Sequence, residues 1–338
     1  MKNKALGKII IIAVAIVLVA EIIIAIVTTV NHSKDDKLYS EKINSDLSIG
    51  NNSELIEKSE DKESSLKYEK DDIKNASEDD LKTDENFSGI KSGYNCRYGV
   101  FLNYDGDLDR FSEYDVIVID AQYFTKEQIT EYKSKGHSVL SYINIGSLEN
   151  FRDYYQEYQD LTLSDYENWD EERWIDASSE RWQNFILNTL APSLLDKGID
   201  GFFVDNCDVY YVYPNDEMLS GVAYIMKGLK AYKKEVIING GDTFLDAYCN
   251  KLGKWDDVIT GINQETVFSK IDWDDKEHTE NDLEDREYFE AYIERYGKLG
   301  AKIYLLEYTK NSDTINKIDE YCKEHNFGFY ISTSIKLD

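Results

Sequence analysis

The residues of this 338-residue chain that could carry chemistry follow short apolar runs rich in β-branched and aromatic side chains. The clearest case is the stretch GFFVDNCD, in which Asp205, Asn206 and Asp208 close a hydrophobic run. A second carboxylate, Glu265, comes two residues after the run VITGIN (258–263). If these runs are parallel strands of one sheet, their carboxyl ends meet at one edge, where active sites are built. The spacing therefore predicts a site with two carboxylates.

Two carboxylates on facing strands suit glycoside hydrolysis. One carboxylic acid protonates the glycosidic oxygen, and the other carboxylate attacks the anomeric carbon or activates water. No Ser-His-Asp or Cys-His arrangement competes, because none of the four histidines directly follows an apolar run of this kind. Aromatic residues near the strand ends offer either surfaces for sugar rings or ordinary packing: Tyr123, Phe124, Tyr210, Tyr211, Tyr213, Phe268 and Trp273.

The acidic stretches have two other interpretations. Acids after the run at 201–205 also suit a capped junction between strand and loop. A cation held by Asp205 and Asp208, or by DGDLD at 105–109, is the second alternative, since the latter resembles the start of a calcium loop. That stretch lacks the later ligands and the glutamate at position twelve, and no histidine or third carboxylate has metal-ligand spacing. We expect no metal and no cofactor.

Eight apolar runs predict strands that are continuous rather than alternating, as is typical of parallel strands buried on both faces. Amphipathic segments between them predict helices at 125–136, 179–198, 288–300 and 314–328, with Pro192 kinking the second. Eight such units over about 245 residues match a (β/α)8 TIM barrel. An open doubly wound sheet is the alternative, but no Gly-rich phosphate loop follows the first strand. The predicted strands are 98–102, 115–120, 138–145, 201–205, 236–239, 258–263, 302–307 and 327–332.

Seven of these eight strands end on or near a polar side chain. One such residue is an ordinary cap, whereas several on one rim are what a pocket for a polar substrate needs. The predicted rim residues are Asp120, Asn144, Asp205, Asn239, Glu265, Glu307 and Ser332.

A membrane segment is predicted near the start of the chain. Three lysines in a basic tail (1–8) precede an apolar run (9–30) that is interrupted only by Glu21 and two threonines. At about 1.5 Å per residue, a helix of this length crosses a bilayer core of about 30 Å. A cleaved signal peptide is the alternative, but its apolar core is shorter and ends at small residues. The flanking charges predict a cytoplasmic N-terminus and an extracellular remainder, which is secreted if the segment is cleaved.

Residues 31–90 carry 9 Lys and 17 acids with few large apolar residues, which predicts a disordered acidic linker before a catalytic domain at 91–338. The formal net charge of −28 argues against nucleic acid as a partner. The four cysteines are scattered without a C-x-x-C pair, so we expect free, mostly buried thiols. The protein is expected to act as a monomer.

The order of several motifs between about Tyr98 and Leu337 resembles glycoside hydrolase family 114, the endo-α-1,4-polygalactosaminidase-like group of (β/α)8 barrels. The matching stretches are YDVIVIDAQYF, LSYINIGSLENFR, ERWIDASS, GIDGFFVDNCDVY, the NQE of GINQETVFS, and LEYT followed by FYIST. The pattern GxDGxxxDNxD is the most specific of them. The chain departs from the family at 146–149, where Gly-Ser-Leu-Glu replaces an expected Gly-Glu-x-Glu, and at Cys207, where valine is more usual.

The resemblance implies an enzyme that cleaves galactosamine-containing polysaccharide with retention. It implies Asp205 as the nucleophile and Glu265 as the acid/base. Other matching positions are implied to shape the sugar site: Asp120, Glu149, Arg152, Asp208 and Asn239. Arg152 has a second interpretation as the structural partner of Glu149. Four more residues are expected to contact the substrate from their positions near strand ends: Tyr123, Asn206, Tyr210 and Glu307.

The combined prediction is a membrane-anchored extracellular glycoside hydrolase that acts on a polysaccharide of galactosamine or N-acetylgalactosamine units. The alternative is a cell-surface sugar-binding protein without activity on the same barrel. The presence of both predicted catalytic carboxylates favours the hydrolase.

Overall fold

The computed structural model describes residues 90–167, 169–272 and 277–338. The predicted basic tail (1–8), membrane segment (9–30) and acidic linker (31–90) lie outside these residues, apart from Ile90. Among the helices of the described ranges, none combines the length and the apolar character that a bilayer crossing requires.

Eight parallel strands form one sheet in chain order. The first and last strands come together, since the rings of Phe101 and Tyr330 have centroids 5.3 Å apart. No hydrogen-bonded ladder joins these two strands in the described chain, so the barrel is nearly closed. This architecture is consistent with the predicted (β/α)8 barrel. The strands are β1 (Tyr98–Phe101), β2 (Val116–Ile119), β3 (Ser138–Asn144), β4 (Gly201–Asp205), β5 (Glu235–Asn239), β6 (Gly261–Glu265), β7 (Lys302–Tyr308) and β8 (Gly328–Ser332).

Both faces of the sheet are buried, which explains the continuous apolar runs. In β2, Val118 points into the barrel, whereas Ile117 and Ile119 pack outside against the helices. Successive side chains of a strand alternate between faces, so each strand needs two sets of apolar residues. The barrel interior also holds the rings of Tyr98 and Tyr304, which contact each other at an interplanar angle of 30° with centroids 4.4 Å apart.

Helices cover the outside of the sheet. The first one begins at Lys126, and the preceding Thr125 forms a capping box with Gln128. The predicted kink at Pro192 is a π-helical segment, because proline cannot donate a hydrogen bond to the preceding turn. The longer helical segments are Lys126–Ser134, Glu180–Phe185, Ile186–Leu190 (π), Ala191–Asp196, Asp216–Ala231, Asp242–Lys251, Leu283–Lys298 and Ser312–His325.

Strand β6 begins three residues later than predicted. Val258 and Ile259 are fully buried, but they follow a 3-10 turn rather than pair in the sheet. At Gly261 the neighbouring strand comes so close that an added Cβ would lie 2.5 Å from the Lys302 carbonyl oxygen. The shift makes Glu265 the last residue of the strand. The other seven strands agree with the prediction within one residue at each end.

Two antiparallel elements stand at the carboxyl ends of the strands, and the sequence patterns did not predict either. The insertion sheet lies between β3 and β4 and consists of Ser147–Glu149, Thr162–Asp165 and Glu172–Ile175. The rim hairpin follows β6 and pairs Ser269–Asp272 with Glu277–Glu280. Both elements add walls above the barrel.

Candidate active site

A cleft of about 1180 Å³ opens at the carboxyl ends of the barrel strands. Its lining includes the ends of three neighbouring strands, at Asp205, Asn239 and Glu265. The insertion sheet and the rim hairpin supply further walls. Side chains from distant parts of the sequence therefore meet in one concave site, as polar substrates require.

Asn239 holds the two predicted catalytic carboxylates together. Its side-chain nitrogen donates one hydrogen bond of 3.0 Å to Asp205 Oδ1 and another of 2.7 Å to Glu265 Oε1. The Tyr308 hydroxyl donates to the other oxygen, Glu265 Oε2, at 2.7 Å. Both carboxylates thus have fixed orientations toward the cleft.

Each predicted catalytic residue is followed by a residue with left-handed backbone, Asn206 at φ 63° and Thr266 at φ 55°. For a β-branched residue such as Thr266 this conformation is strained and persists only when its surroundings hold it. Its N–H donates to the Leu306 carbonyl at 3.0 Å, and Asn281 donates to its carbonyl at 2.9 Å. These bonds turn the chain sharply away after Glu265.

Gly146 allows the insertion sheet to start beside this turn. A Cβ at this position would lie 1.7 Å from the carbonyl oxygen of Asn206. No side chain fits there, so the backbone of the loop after β3 touches the backbone that follows Asp205.

Burial raises the pKa of both carboxyls of the pair. The pKa of Asp205 rises to about 6, because burial and the negative charge of Glu265 outweigh the hydrogen bond from Asn239. Burial likewise raises the pKa of Glu265, against the hydrogen bonds from Tyr308 and Asn239. The pair therefore retains protons in mildly acidic solution, where ordinary carboxyls are ionised.

Asp208 lies beside the pair and does not cap the short helix Val209–Val212 that it precedes, contrary to the capped-junction interpretation. Burial, Asp242 and Asp205 raise its pKa to about 7. The stretch DGDLD has an ordinary structural role, since Asp107 caps a 3-10 helix. In the ranges that the structure describes, no three His, Cys, Asp or Glu side chains are arranged to hold a metal ion.

Arg152 forms a buried triad with Glu149 and Asp120 in the lining of the cleft. Its guanidinium donates to both oxygens of Glu149, at 2.5 and 2.9 Å, and to Asp120 Oδ2 at 2.5 Å. The structural pairing of Arg152 with Glu149 is therefore present, although all three residues also line the cleft. Tyr123 and Phe151 lie over the guanidinium, and both are more than half exposed. Their faces are available to a sugar ring.

Glu172 is a cleft residue that sequence reasoning did not assign. It lies on the central strand of the insertion sheet, and its Oε2 accepts hydrogen bonds from Ser147 Oγ at 2.6 Å and Asn206 Nδ2 at 3.3 Å. Burial and the charge of Glu149 raise its pKa to about 7. The signal for it was present, because Glu172 opens the motif ERWIDASS. Its carboxylate sits next to Ser147, in the stretch where an acidic residue was expected.

The sequence model of the glycoside-hydrolase family GH114 matches residues 85–336. The chain belongs to this family. It is therefore a glycoside hydrolase, and the matched range covers the whole barrel.

Two solved structures share the GH114 chain's fold. The glycoside hydrolase domain of PelA from Pseudomonas aeruginosa is 15% identical with a TM-score of 0.62, covering 72% of this chain and 96% of that one. Ega3 from Aspergillus fumigatus, solved in complex with galactosamine, is 18% identical with a TM-score of 0.56, covering 73% of this chain and 94% of that one. Among curated protein sequences, none matches the chain.

Nine of the eleven predicted site residues line the cleft of this GH114 chain, and Glu307 and Tyr210 do not. Glu307 is fully buried, and its carboxylate accepts hydrogen bonds from the backbone N–H groups of Val267, Phe268 and Ser269. In β7 the side chain of Leu306 points into the barrel, so that of Glu307 points outward. This placement does not fit the expected substrate contact. Glu307 instead anchors the base of the rim hairpin.

Tyr210 is also buried, within the layer between sheet and helices. Phe124 and Phe268 are buried in the same layer, and Tyr211 is exposed outside the cleft lining. Tyr213 donates a hydrogen bond to Ser164 at 2.7 Å. Trp273 lies outside the described residues. Of the predicted aromatic residues, Tyr123 lines the cleft. The other aromatic lining residues are Tyr104, Tyr142, Phe151, Tyr166, Trp169, Phe289 and Tyr308.

Proposed function

We propose that this GH114 chain is a retaining hydrolase of polysaccharides that contain galactosamine or N-acetylgalactosamine, with Asp205 as nucleophile and Glu265 as acid/base. The observation that supports it most is the pair of hydrogen bonds from one nitrogen of Asn239 to both carboxylates.

The shared nitrogen limits the separation of Asp205 and Glu265. Their bonded oxygens cannot be further apart than the sum of the two hydrogen-bond lengths, 3.0 and 2.7 Å. Inverting glycosidases place their carboxyls about 6.5 to 9.5 Å apart to admit a water, whereas retaining enzymes place them about 5 to 5.5 Å apart. The arrangement fits direct attack by one carboxylate better than attack by an intervening water.

The proposed reaction has two steps. In the first, protonated Glu265 donates its proton to the glycosidic oxygen, while the Asp205 carboxylate attacks the anomeric carbon and forms a covalent glycosyl ester. In the second, Glu265 takes a proton from water, and the resulting nucleophile cleaves the ester and regenerates Asp205. Asn239 and Tyr308 orient both groups throughout.

The charge of the cleft supports an amino-sugar substrate. Three basic residues line it, and Arg152 and Lys270 among them are paired with carboxylates. An excess of acids over bases attracts a cationic chain. The galactosamine bound in the Ega3 structure agrees with this class of substrate. The acidic lining residues are Asp105, Asp120, Glu149, Glu171, Glu172, Asp205, Asp208, Asp242, Glu265 and Asp285.

The proposed location is the cell membrane, with a cytoplasmic N-terminus and an extracellular catalytic domain. This proposal rests on the apolar run at 9–30 and the charges on either side of it. Protease digestion of intact cells tests it, because an extracellular barrel would be degraded and a cytoplasmic one protected.

The function is tested by incubating the purified full chain with a galactosamine-containing polymer and measuring chain length. Asp205→Asn and Glu265→Gln are expected to abolish shortening, whereas the exposed control Asp216→Asn should leave it unchanged. NMR of the first products is expected to show retained anomeric configuration. Binding of the polymer without any shortening by the unaltered chain would instead identify a sugar-binding protein.

A further inference from the structure

Asn239 is itself held by two residues from the interior of the barrel. The Asn263 side-chain nitrogen donates to Asn239 Oδ1 at 2.7 Å, and the Tyr98 hydroxyl donates to Asn263 Oδ1 at 3.1 Å. Tyr98 is 1% exposed and Asn263 is 0% exposed. A line of hydrogen bonds therefore runs from strand β1 through β6 and β5 to the two carboxylates.

Each link of this line sets the direction of the next one. An asparagine side chain has one accepting oxygen and one donating nitrogen, and it reverses both by turning over. The Tyr98 hydroxyl faces the oxygen of Asn263, so the nitrogen of Asn263 faces Asn239. That nitrogen in turn binds the oxygen of Asn239, which leaves the nitrogen of Asn239 pointing at Asp205 and Glu265.

The reverse orientation would be unfavourable for catalysis. If Asn239 turned over, its oxygen would face two carboxylates, and the hydrogen bonds that favour their ionised forms would be lost. Asn263 is buried, so water does not easily replace a hydrogen-bond donor that is lost there. The amide would then lack a partner, which is costly in a buried site. The direction of the Asn263 amide thus matters to two carboxylates with which Asn263 forms no hydrogen bond.

We propose that Tyr98 and Asn263 are positioning residues that fix the orientation of Asn239 and thereby the ionisation of Asp205 and Glu265. This inference rests on the proposed function for its link to catalysis. Neither residue lines the cleft, and the hydrogen bonds that lead from them to the two carboxylates pass through Asn239.

The test is Tyr98→Phe in the full chain, with Tyr304→Phe as its matched control. Tyr304 contacts the ring of Tyr98 in the same interior, but its hydroxyl donates to the Lys91 carbonyl at 2.9 Å, away from the site. Loss of the Tyr98 hydroxyl is expected to lower kcat about 10-fold, the scale of one hydrogen bond, and to move the acidic limb of the pH profile upward. KM and the pH profile of the Tyr304 variant should match the unaltered chain.

Asn263→Asp is a second variant with a stronger effect. Above the pKa of the introduced carboxyl, its ionised form accepts hydrogen bonds only, so it would draw the nitrogen of Asn239 away from Asp205 and Glu265 and lower kcat further than Tyr98→Phe does. Equal kcat losses without a pH shift in the Tyr98 and Tyr304 variants would show a packing effect and overturn the inference. So would unchanged kinetics in Tyr98→Phe and Asn263→Asp.

NMR titration of carbon-labelled carboxyls separates this inference from the proposed function. The pKa of Asp205 is expected to be higher in Tyr98→Phe than in the unaltered chain, and this reading needs no substrate. An unaltered chain that cleaves no amino-sugar polymer would refute the proposed function. An unchanged pKa of Asp205 in Tyr98→Phe would refute the positioning role.

Discussion

Glu149 and Glu172 lie directly opposite each other on neighbouring antiparallel strands of the insertion sheet. Opposed residues point to the same face of a sheet, where like charges are destabilising. Arg152 neutralises Glu149, but it is shared with Asp120, and Glu172 forms no ion pair with any residue that the structure describes. Under the proposed function, the ammonium group of an amino sugar would supply the missing positive charge.

Glu172→Gln is therefore expected to lower kcat/KM about 10-fold for oligomers with free amines, because one charge-assisted contact is lost. The loss should be smaller for N-acetylated oligomers, which carry no charge there. Comparison of the two substrates at one pH measures the effect. Glu167→Gln, an exposed change on the same insertion, is the control. Equal losses on both substrates would contradict a charge-specific role for Glu172.

Activity should have an unusual acidic limb. In the proposed reaction Asp205 must be ionised to attack, and its pKa is raised to about 6, so activity is expected to fall below about pH 6 rather than below pH 4. On the alkaline side, activity is expected to fall as the proposed acid, Glu265, loses its proton. A profile of kcat/KM against pH measures both limbs. In Glu265→Gln, NMR titration should show a lower pKa for Asp205, because the neighbouring charge is gone; an unchanged pKa would contradict the coupling.

The stability of the domain should decrease as the pH rises from about 4 to about 8. Four carboxyls have folded-state pKa values of about 6 to 7, above those of the unfolded chain: Glu172, Asp205, Asp208 and Glu307. A raised pKa contributes stability that is complete below the unfolded pKa and is lost as the pH rises through the folded pKa. Carboxylates with a lowered pKa, such as Asp115, change the free energy of unfolding only below about pH 4, where their contribution to stability is lost as the pH falls.

Urea unfolding at several pH values measures this dependence. Asp208→Asn is expected to reduce the decrease in the free energy of unfolding between pH 4 and pH 8, whereas the exposed change Asp313→Asn should leave it unaltered. A free energy of unfolding that increases up to pH 8 would rule out the assigned pKa directions.

Glu307→Gln should destabilise the fold by about 1 to 3 kcal/mol, the cost of unsatisfied buried groups. Both oxygens of Glu307 accept hydrogen bonds, from three backbone N–H groups and from the Ser269 hydroxyl. The side-chain NH2 group of a glutamine would face these donors, and the donors beside it would lose their hydrogen-bond acceptor. Urea unfolding at pH 8 measures the change, with exposed Glu320→Gln as the control. Full stability together with lost activity would instead point to a direct role in the reaction.

The barrel was predictable because its strands are buried on both faces, which leaves long apolar runs in the sequence. The rim positions of Asp205, Asn239 and Glu265 were predictable. Each comes two residues after an inward-pointing residue of its strand, and side chains two residues apart share a face, so all three lie on the inner face. The preceding residues are Phe203, Ile237 and Asn263. The same alternation turns Glu307 outward, so position at a strand end was not sufficient.

The insertion sheet was not predictable from pattern. Its strands are three or four residues long and mostly polar, as in TLSD at Thr162–Asp165, so no periodicity distinguishes them from a loop. Glu172 was missed with the sheet that carries it. The hydrogen bonds that Asn239 donates to both Asp205 and Glu265 join residues that are distant in sequence. One amino-acid sequence by itself does not reveal such contacts.

The contact at Gly146 shows that this site depends on the absence of a side chain at one position. A single methyl group there would collide with the backbone after Asp205, although it would add no charge and remove no hydrogen-bonding group. A survey of catalytic positions restricted to polar residues would pass over it. For protein engineers, Gly146 is thus a place where the proposed nucleophile, Asp205, can be displaced while every acid, amide and hydroxyl of the cleft remains in the sequence.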